Sequence, residues 1–143
     1  MSESILVTGG AGFIGSHIVD ALVAAGHSVA VLDNLSTGKR ANVNPAATLY
    51  EMDLRDAAGV RRVVDEVRPA VISHQAALAD VRASLADPAT YAQVNVVGTL
   101  NLLEAARRTA ATRKVIFAST GGAVYGNPAE LPATERCPTL PLD

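Results

Sequence analysis

Short apolar runs rich in Val, Ile and Leu alternate along the chain with longer stretches whose apolar positions recur at helical spacing, the pattern of repeated strand-helix units. The first run, Ser4 to Thr8, predicts a strand. The glycines of GGAGFIGSH follow it at once and open a helix from about Gly12 to Ala25, with Gly26 as its C-cap residue. Ser28 to Leu32, entirely small or apolar, predicts a second strand, and the polar DNLSTGKRANVNP after it a loop. Thr48 to Met52 predicts a third strand. Asp56 can cap a helix reaching about Val67, which ends before Arg68-Pro69 because a residue preceding proline disfavours helical geometry. Ala70 to His74 predicts a fourth strand. One long helix is expected from Asp87-Pro88 to about Ala111, with Asp87 as N-cap, Pro88 at the first helical position and Arg107 and Arg108 near its negative end. Lys114 to Ala118 predicts a fifth strand, followed by a turn through STGGAVYGNP and a patternless proline-rich stretch, LPATERCPTLPLD. Right-handed crossovers make the five strands one parallel sheet in the order 3-2-1-4-5 with helices on both faces. The expected fold is therefore α/β, a Rossmann-like doubly wound sheet ending after the fifth strand, with residues 1–143 as one domain.

Composition narrows the chemistry. The chain has 12 basic and 14 acidic residues among 143, a formal net charge of -2, so no strong field would draw nucleic acid or an anionic membrane. Aromatic residues make up 3%, too few for base-stacking platforms. A single cysteine, Cys137, allows neither an intrachain disulfide nor a Cys-rich zinc site and suits a reducing, cytoplasmic compartment; it has no companion histidine and reads as an incidental thiol. His17, His27 and His74 have no ligand cluster at metal spacing, so no metal is expected. No apolar run approaches the roughly 18 residues that span a bilayer, and no basic region precedes the first apolar stretch, so neither anchoring nor secretion is expected.

The glycines carry the first functional signal. Gly9, Gly12 and Gly15 are spaced three apart, and Gly10 to Gly15 also reads as G-x-G-x-x-G. The motif follows a strand and opens a helix, the context in which a dinucleotide pyrophosphate meets backbone N–H groups at a positive helix end. One glycine permits the tight turn, one clears the phosphate's path and one lets helix meet strand closely. Asp33, 18 residues beyond Gly15, ends the second strand, where a carboxylate can accept from the adenosine ribose hydroxyls and repel a 2′-phosphate. These features predict NAD rather than NADP, with Lys39 and Arg40 close enough in sequence to temper the choice. The bland alternative is a glycine turn beside a solvated strand end.

VTGGAGFIGSH, LDNLSTGK, MDLRD, HQAA, NVVGTLNLLEAA and ASTGGAVYGNP, in that order, resemble the extended short-chain dehydrogenase/reductase family, and within it the UDP-glucose 4-epimerase branch. The resemblance runs through nearly all of the chain and covers the N-terminal part of the family's length. By position it implies NAD contacts at Gly9, Gly12, Phe13, Ile14 and Gly15 near the phosphates and at Asp33, Asn34, Ser36, Thr37 and Gly38 toward the adenosine. Asp53 and Leu54 match the pair flanking adenine, although Asp53 alone reads equally well as a turn residue. Gln75, Ala76 and Ala77 match the loop where backbone approaches the cofactor; the alanines could equally be packing residues. Asn95 sits mid-helix, an awkward place for a residue that favours caps and turns. The family's matching Asn helps hold the active-site backbone; a purely structural hydrogen bond is the alternative. Thr120, or its neighbour Ser119, matches the Ser/Thr that binds the sugar hydroxyl being oxidised, and a turn-forming pair is the competing reading.

The family's proton transfer depends on Tyr-x-x-x-Lys, which these 143 residues do not contain: four residues beyond Tyr50, Tyr91 and Tyr125 stand Leu54, Asn95 and Ala129. A full-length relative would oxidise C4 of a UDP-hexose, let the keto-sugar turn over and return hydride to its other face. The chain alone is expected not to do so. Thr120 is followed by Gly121-Gly122-Ala123 rather than the Asp-Glu of 4,6-dehydratases, which disfavours dehydration. UDP-glucuronate epimerases and decarboxylases remain open, as does a dinucleotide-binding module without chemistry. The open side of the fifth strand predicts a hydrophobic edge and self-association. The family dimer, which pairs the long helix with the Tyr-x-x-x-Lys helix, cannot be assumed.

Overall fold

Five parallel strands form one sheet in the expected order, β3-β2-β1-β4-β5. They are β1 Ser4–Thr8, β2 Ser28–Asp33, β3 Thr48–Glu51, β4 Val71–His74 and β5 Lys114–Phe117. The computed structural model describes residues 2–141; Met1, Leu142 and Asp143, the two ends of the expected domain, lie outside the described residues.

Alternation along the central strands sorts their side chains onto two faces. Leu6, Ala30, Leu32 and Ile72 face one side and pack with Leu54, Val60, Val63, Val64, Leu102, Ala105 and Ala106. Those partners belong to helices α2 (Ala57–Val67) and α5 (Gly98–Arg108) and to the loop after β3. Ile5, Val7, Val29 and Val31 face the other side and pack with Val19 of helix α1, Phe13–Ala24. Each fully buried aliphatic side chain contributes about 1.5–3 kcal/mol, so the two-sided burial of β1 and β2 dominates the core. The outer strand β5 is half-open: Ile116 and Phe117 remain 46% and 59% exposed.

The helix boundaries follow local chemistry. Gly26, at φ +83, closes α1 with its N–H on Val23 O while His27 N donates to Leu22 O, the paired pattern of a left-handed glycine stop. Asp56 caps α2 through Gly59 N at 3.0 Å. The helix ends at Val67, and Arg68, ahead of Pro69, turns into the left-handed region at φ 45.

Four expectations need correction. Helix α3, Val81–Ala86, has no counterpart among the expected elements, although Asp80 caps it through Ala83 N. The expected single helix from Pro88 consists of α4 (Pro88–Ala92), one π-helical turn (Gln93–Val97) and α5, and stops at Arg108 rather than Ala111. In place of the expected turn after β5, Gly121–Tyr125 form a short helix, α6. β5 ends at Phe117, so Thr120 lies beyond the strand as the residue preceding α6. Among the described residues no helix is long and apolar enough to cross a membrane.

Candidate functional site

The loops leaving the carboxyl ends of all five strands surround a cavity of about 390 Å³. This is where an open parallel sheet places its ligands, because the loops after β1 and β4 part there in opposite directions.

Three glycines shape the centre of the cavity, each by a different steric effect. Gly9 adopts φ +70, and a Cβ on it would meet Ala76 N at 2.7 Å. Gly12 has an ordinary extended backbone, φ -79 and ψ 176, and only Gly9 O, at 3.3 Å, lies near the place of its missing Cβ. Gly15 packs so tightly on the preceding loop that a Cβ would fall 2.1 Å from Gly9 O. The first turn of α1 is thereby drawn against β1. Phe13 N, Ile14 N and Gly15 N find no acceptor among the described residues; no side chain caps the helix, and its first turn contains no acid. A bare positive helix end lines the cavity at Gly12, Phe13, Ile14 and Gly15.

Asp33 stands on the β2 side of that helix end. It is 8% exposed, and its two carboxylate oxygens accept from Ala11 N (3.0 Å) and Leu35 N (2.8 Å). Each oxygen keeps a lone pair for a further donor. Asn34, Ser36 and Thr37 line the same wall, and Asn34 Oδ1 accepts from Ser36 N. Gly38 does not line it; a Cβ there would lie 2.8 Å from Ala11 Cβ, so this glycine lets the loop lie against the glycine turn. Lys39 N and Asn42 Nδ2 both donate to Ala11 O. Arg40 is paired with Glu51 at the end of β3.

Asp53 and Leu54 complete the β3 side. Asp53 accepts from Asn34 Nδ2 at 3.0 Å and from the Arg55 guanidinium at 3.0 and 2.8 Å. The Arg55 bonds hold its carboxyl well below the usual carboxylate range, against an opposing push from burial. The Leu54 carbonyl accepts from Asn101 Nδ2 at 2.9 Å, and Gly98 lets α5 approach so closely that a Cβ there would lie 2.9 Å from Leu54 Cβ.

Across the sheet, Gln75, Ala76 and Ala77 line the β4 side with Leu78, Ala79, Val94 and Ala118. Asn95 does not line the cavity. Its Oδ1 accepts from Leu78 N and its Nδ2 donates to Leu78 O, both at 2.9 Å, so the side chain replaces a backbone partner for the loop. Ser119 and Thr120 are exposed and stand outside the cavity, which reaches only Ala118.

Sequence reasoning misses the apolar wall of Leu32, Leu78, Ala79, Val94 and Ala118, whose residue types carry no chemical signal. It also misses Asn101, which shows the same sign as Asn95: a cap-forming residue in mid-helix. His74, which the sequence pattern excludes as a metal ligand and gives no other role, is buried at the end of β4, and burial pushes its imidazole below the ordinary pKa.

Known proteins resemble this chain in sequence and in fold. A UDP-glucose 4-epimerase from Mycolicibacterium smegmatis is 46% identical over 141 residues, covering 95% of this chain and 44% of that protein. The crystal structure of the Thermus thermophilus UDP-glucose 4-epimerase complex with NAD is 54% identical with a TM-score of 0.89, over 96% of this chain and 44% of that one. The Thermotoga maritima UDP-glucose 4-epimerase with UDP-glucose is 45% identical with a TM-score of 0.90, over 96% and 45%. The chain therefore spans less than half the length of these relatives. Residues 5–143 match the model of the NAD dependent epimerase/dehydratase family, and the chain belongs to that family.

Proposed function

We propose that the chain binds NAD and is the cofactor-binding portion of a UDP-glucose 4-epimerase. The observation that carries this reading is the bare N-terminus of α1 over the clearance at Gly12, with the buried Asp33 carboxylate beside it in the same cavity. The residues fit a dinucleotide. Phe13 N, Ile14 N and Gly15 N are free to donate to a pyrophosphate, and Asp33 retains acceptor capacity for two ribose hydroxyls. Arg40 is engaged in an exposed ion pair with Glu51, and the buried Asp33 carboxylate at the cavity wall opposes a 2′-phosphate, which favours NAD over NADP with Lys39 as the remaining nearby cation. Asp53 and Leu54 flank the adenine end, and the loop Gln75 to Ala79 meets the other half of the cofactor.

When bound, the nicotinamide supplies the hydride acceptor for oxidation of a sugar hydroxyl. By the family resemblance Thr120, or Ser119, would bind that hydroxyl; a UDP-glucose 4-epimerase relative is known with UDP-glucose, so a UDP-sugar is the proposed substrate class. The lack of Tyr-x-x-x-Lys favours binding without turnover for these 143 residues taken alone. We place the parent protein in cytoplasmic galactose metabolism on the same reading.

Titration with NAD tests it. Asp33→Ala is expected to raise Kd by about 10- to 100-fold, the loss of hydrogen bonds to a charged group. Unchanged NAD affinity in this variant would remove the ribose argument. UDP-galactose and UDP-glucose should not interconvert measurably with the purified chain, and robust turnover would overturn the binding-only reading.

A further inference from the structure

His74, a residue 2% exposed, ends β4, and nothing in the proposed cofactor contacts uses it. It sits in the middle of an unbranched chain of hydrogen bonds. Thr99 Oγ1 donates to Asn95 O at 2.6 Å, so the same oxygen accepts from His74 Nε2 at 2.9 Å. With its proton on Nε2, the neutral ring offers Nδ1 as acceptor to the Thr8 hydroxyl at 2.6 Å. Thr8 Oγ1 in turn accepts from Ala76 N at 3.3 Å. The Asn95 end sets the direction: its carbonyl can only accept, so the single Thr99 hydroxyl proton is spent there, Nε2 must donate, and in the neutral ring Nδ1 is left to accept from Thr8, whose oxygen has a second lone pair for the Ala76 amide. The neighbours agree with a neutral ring: β1 presents Thr8, α5 presents Thr99 and β5 presents Phe117, with ring centroids 5.6 Å apart, and none is charged.

Both ends of this chain reach the same loop. At one end it holds the Ala76 amide; at the other it holds the π-helical turn whose Asn95 side chain takes both backbone groups of Leu78. The β2 and β3 side of the cavity, with Asp33 and Asp53, has no member in it. We propose that His74, neutral and protonated on Nε2, is a positioning residue for the β4 half of the dinucleotide site. Through Thr8 and Thr99 it sets the loop Gln75 to Ala79 against the cofactor without touching it. The proposal rests on the cofactor reading above.

Calorimetric titration with NAD and with ADP tests it. ADP carries the adenosine and both phosphates that meet Asp33 and α1 but has nothing to reach the β4 loop. His74→Phe keeps an aromatic ring and removes both hydrogen bonds; it should raise Kd for NAD about tenfold and leave Kd for ADP within about twofold. His74→Gln, which supplies one donor and one acceptor at similar separation, should restore most of the NAD affinity. The ¹⁵N shifts of the wild-type ring should report the proton on Nε2. Equal weakening of NAD and ADP by His74→Phe would mean a general structural role and overturn the proposal, as would unchanged NAD affinity. If His74→Phe does not fold, Thr99→Val removes the Nε2 acceptor at constant shape and carries the same expectation. Wild-type protein that binds neither ligand overturns the cofactor reading and this one with it. Binding of both with the ring proton on Nδ1 overturns this one alone.

Discussion

A methyl group at Gly15 would sit 2.1 Å from the Gly9 carbonyl oxygen, whereas one at Gly12 meets only that oxygen, at 3.3 Å. Two glycines three residues apart therefore have separable roles. Gly15→Ala should cost about 3 kcal/mol, because backbone must move to admit the Cβ; Gly12→Ala should leave stability within about 0.5 kcal/mol and still weaken NAD binding. Urea unfolding alongside NAD titration distinguishes them, and equal destabilisation by both would contradict the division. Titrating residues add a second residue-scale expectation. The folded His74 has a lowered pKa, so its contribution to stability is full above the ordinary imidazole value of 6.5 and is lost as pH falls below it. Asp53, lowered mainly by its bonds to Arg55, contributes above the ordinary value of 3.8 and loses its effect only in stronger acid. That pair is partly exposed, so salt should screen it. The urea midpoint should fall as pH drops from the ordinary imidazole value of 6.5 in the wild type, and less steeply in His74→Gln. An identical slope in the two proteins would remove His74 from the account. The residue types at Gly9, Gly12, Gly15 and Asp33 are legible in the sequence because each role leaves few alternatives. His74 is not, since a lone histidine at a strand end shows its partners only after β1 and α5 have been brought to it.

The run from Pro88 to Arg108 joins both sides of the cavity at the scale of an element. Its π-helical turn presents Asn95 to Leu78 after β4, and α5 presents Asn101 to Leu54 after β3. One continuous helical run thus splints two loops that are separated in the sheet by β1 and β2. Asn95→Leu would remove the side-chain partner of the part-buried Leu78 amide and carbonyl, at about 0.5–1.5 kcal/mol for each bond lost. Hydrogen exchange should then speed up at residues 75–80 and stay unchanged at 53–55; Asn101→Leu should give the reverse pattern. Uniform acceleration in either variant would show that the clamps are not local. The helical period of QVNVVGTLNLL predicts a helix correctly. The extra residue of the π turn is hidden, because both helical forms suit the same residues and only the need to aim Asn95 at the loop distinguishes them.

For the whole molecule, the exposed Val96, Leu100, Leu103, Ile116 and Phe117 lie on the long helix and the edge strand β5, and apolar surface of this kind favours association. Light scattering should show mass above the monomer value at high concentration, and a strictly monomeric species would refute this expectation. The strand order and the two-faced core are legible throughout, since buried parallel strands need apolar runs and right-handed crossovers leave few orders. The helices α3 and α6 are not, as each is under two turns long and too short to display a period. What the sequence determined by itself is local: which segments are strands, where helices start at Asp56 and Asp87, and that a glycine turn and a carboxylate follow the first two strands. Tertiary structure decided which loops meet over the cavity, which glycine clears it, and which polar side chains hold its walls. These depend on atoms from segments far apart in the chain, such as Thr8, His74 and Thr99, whose hydrogen bonds, at 2.6 and 2.9 Å, exist only once the sheet has brought them together.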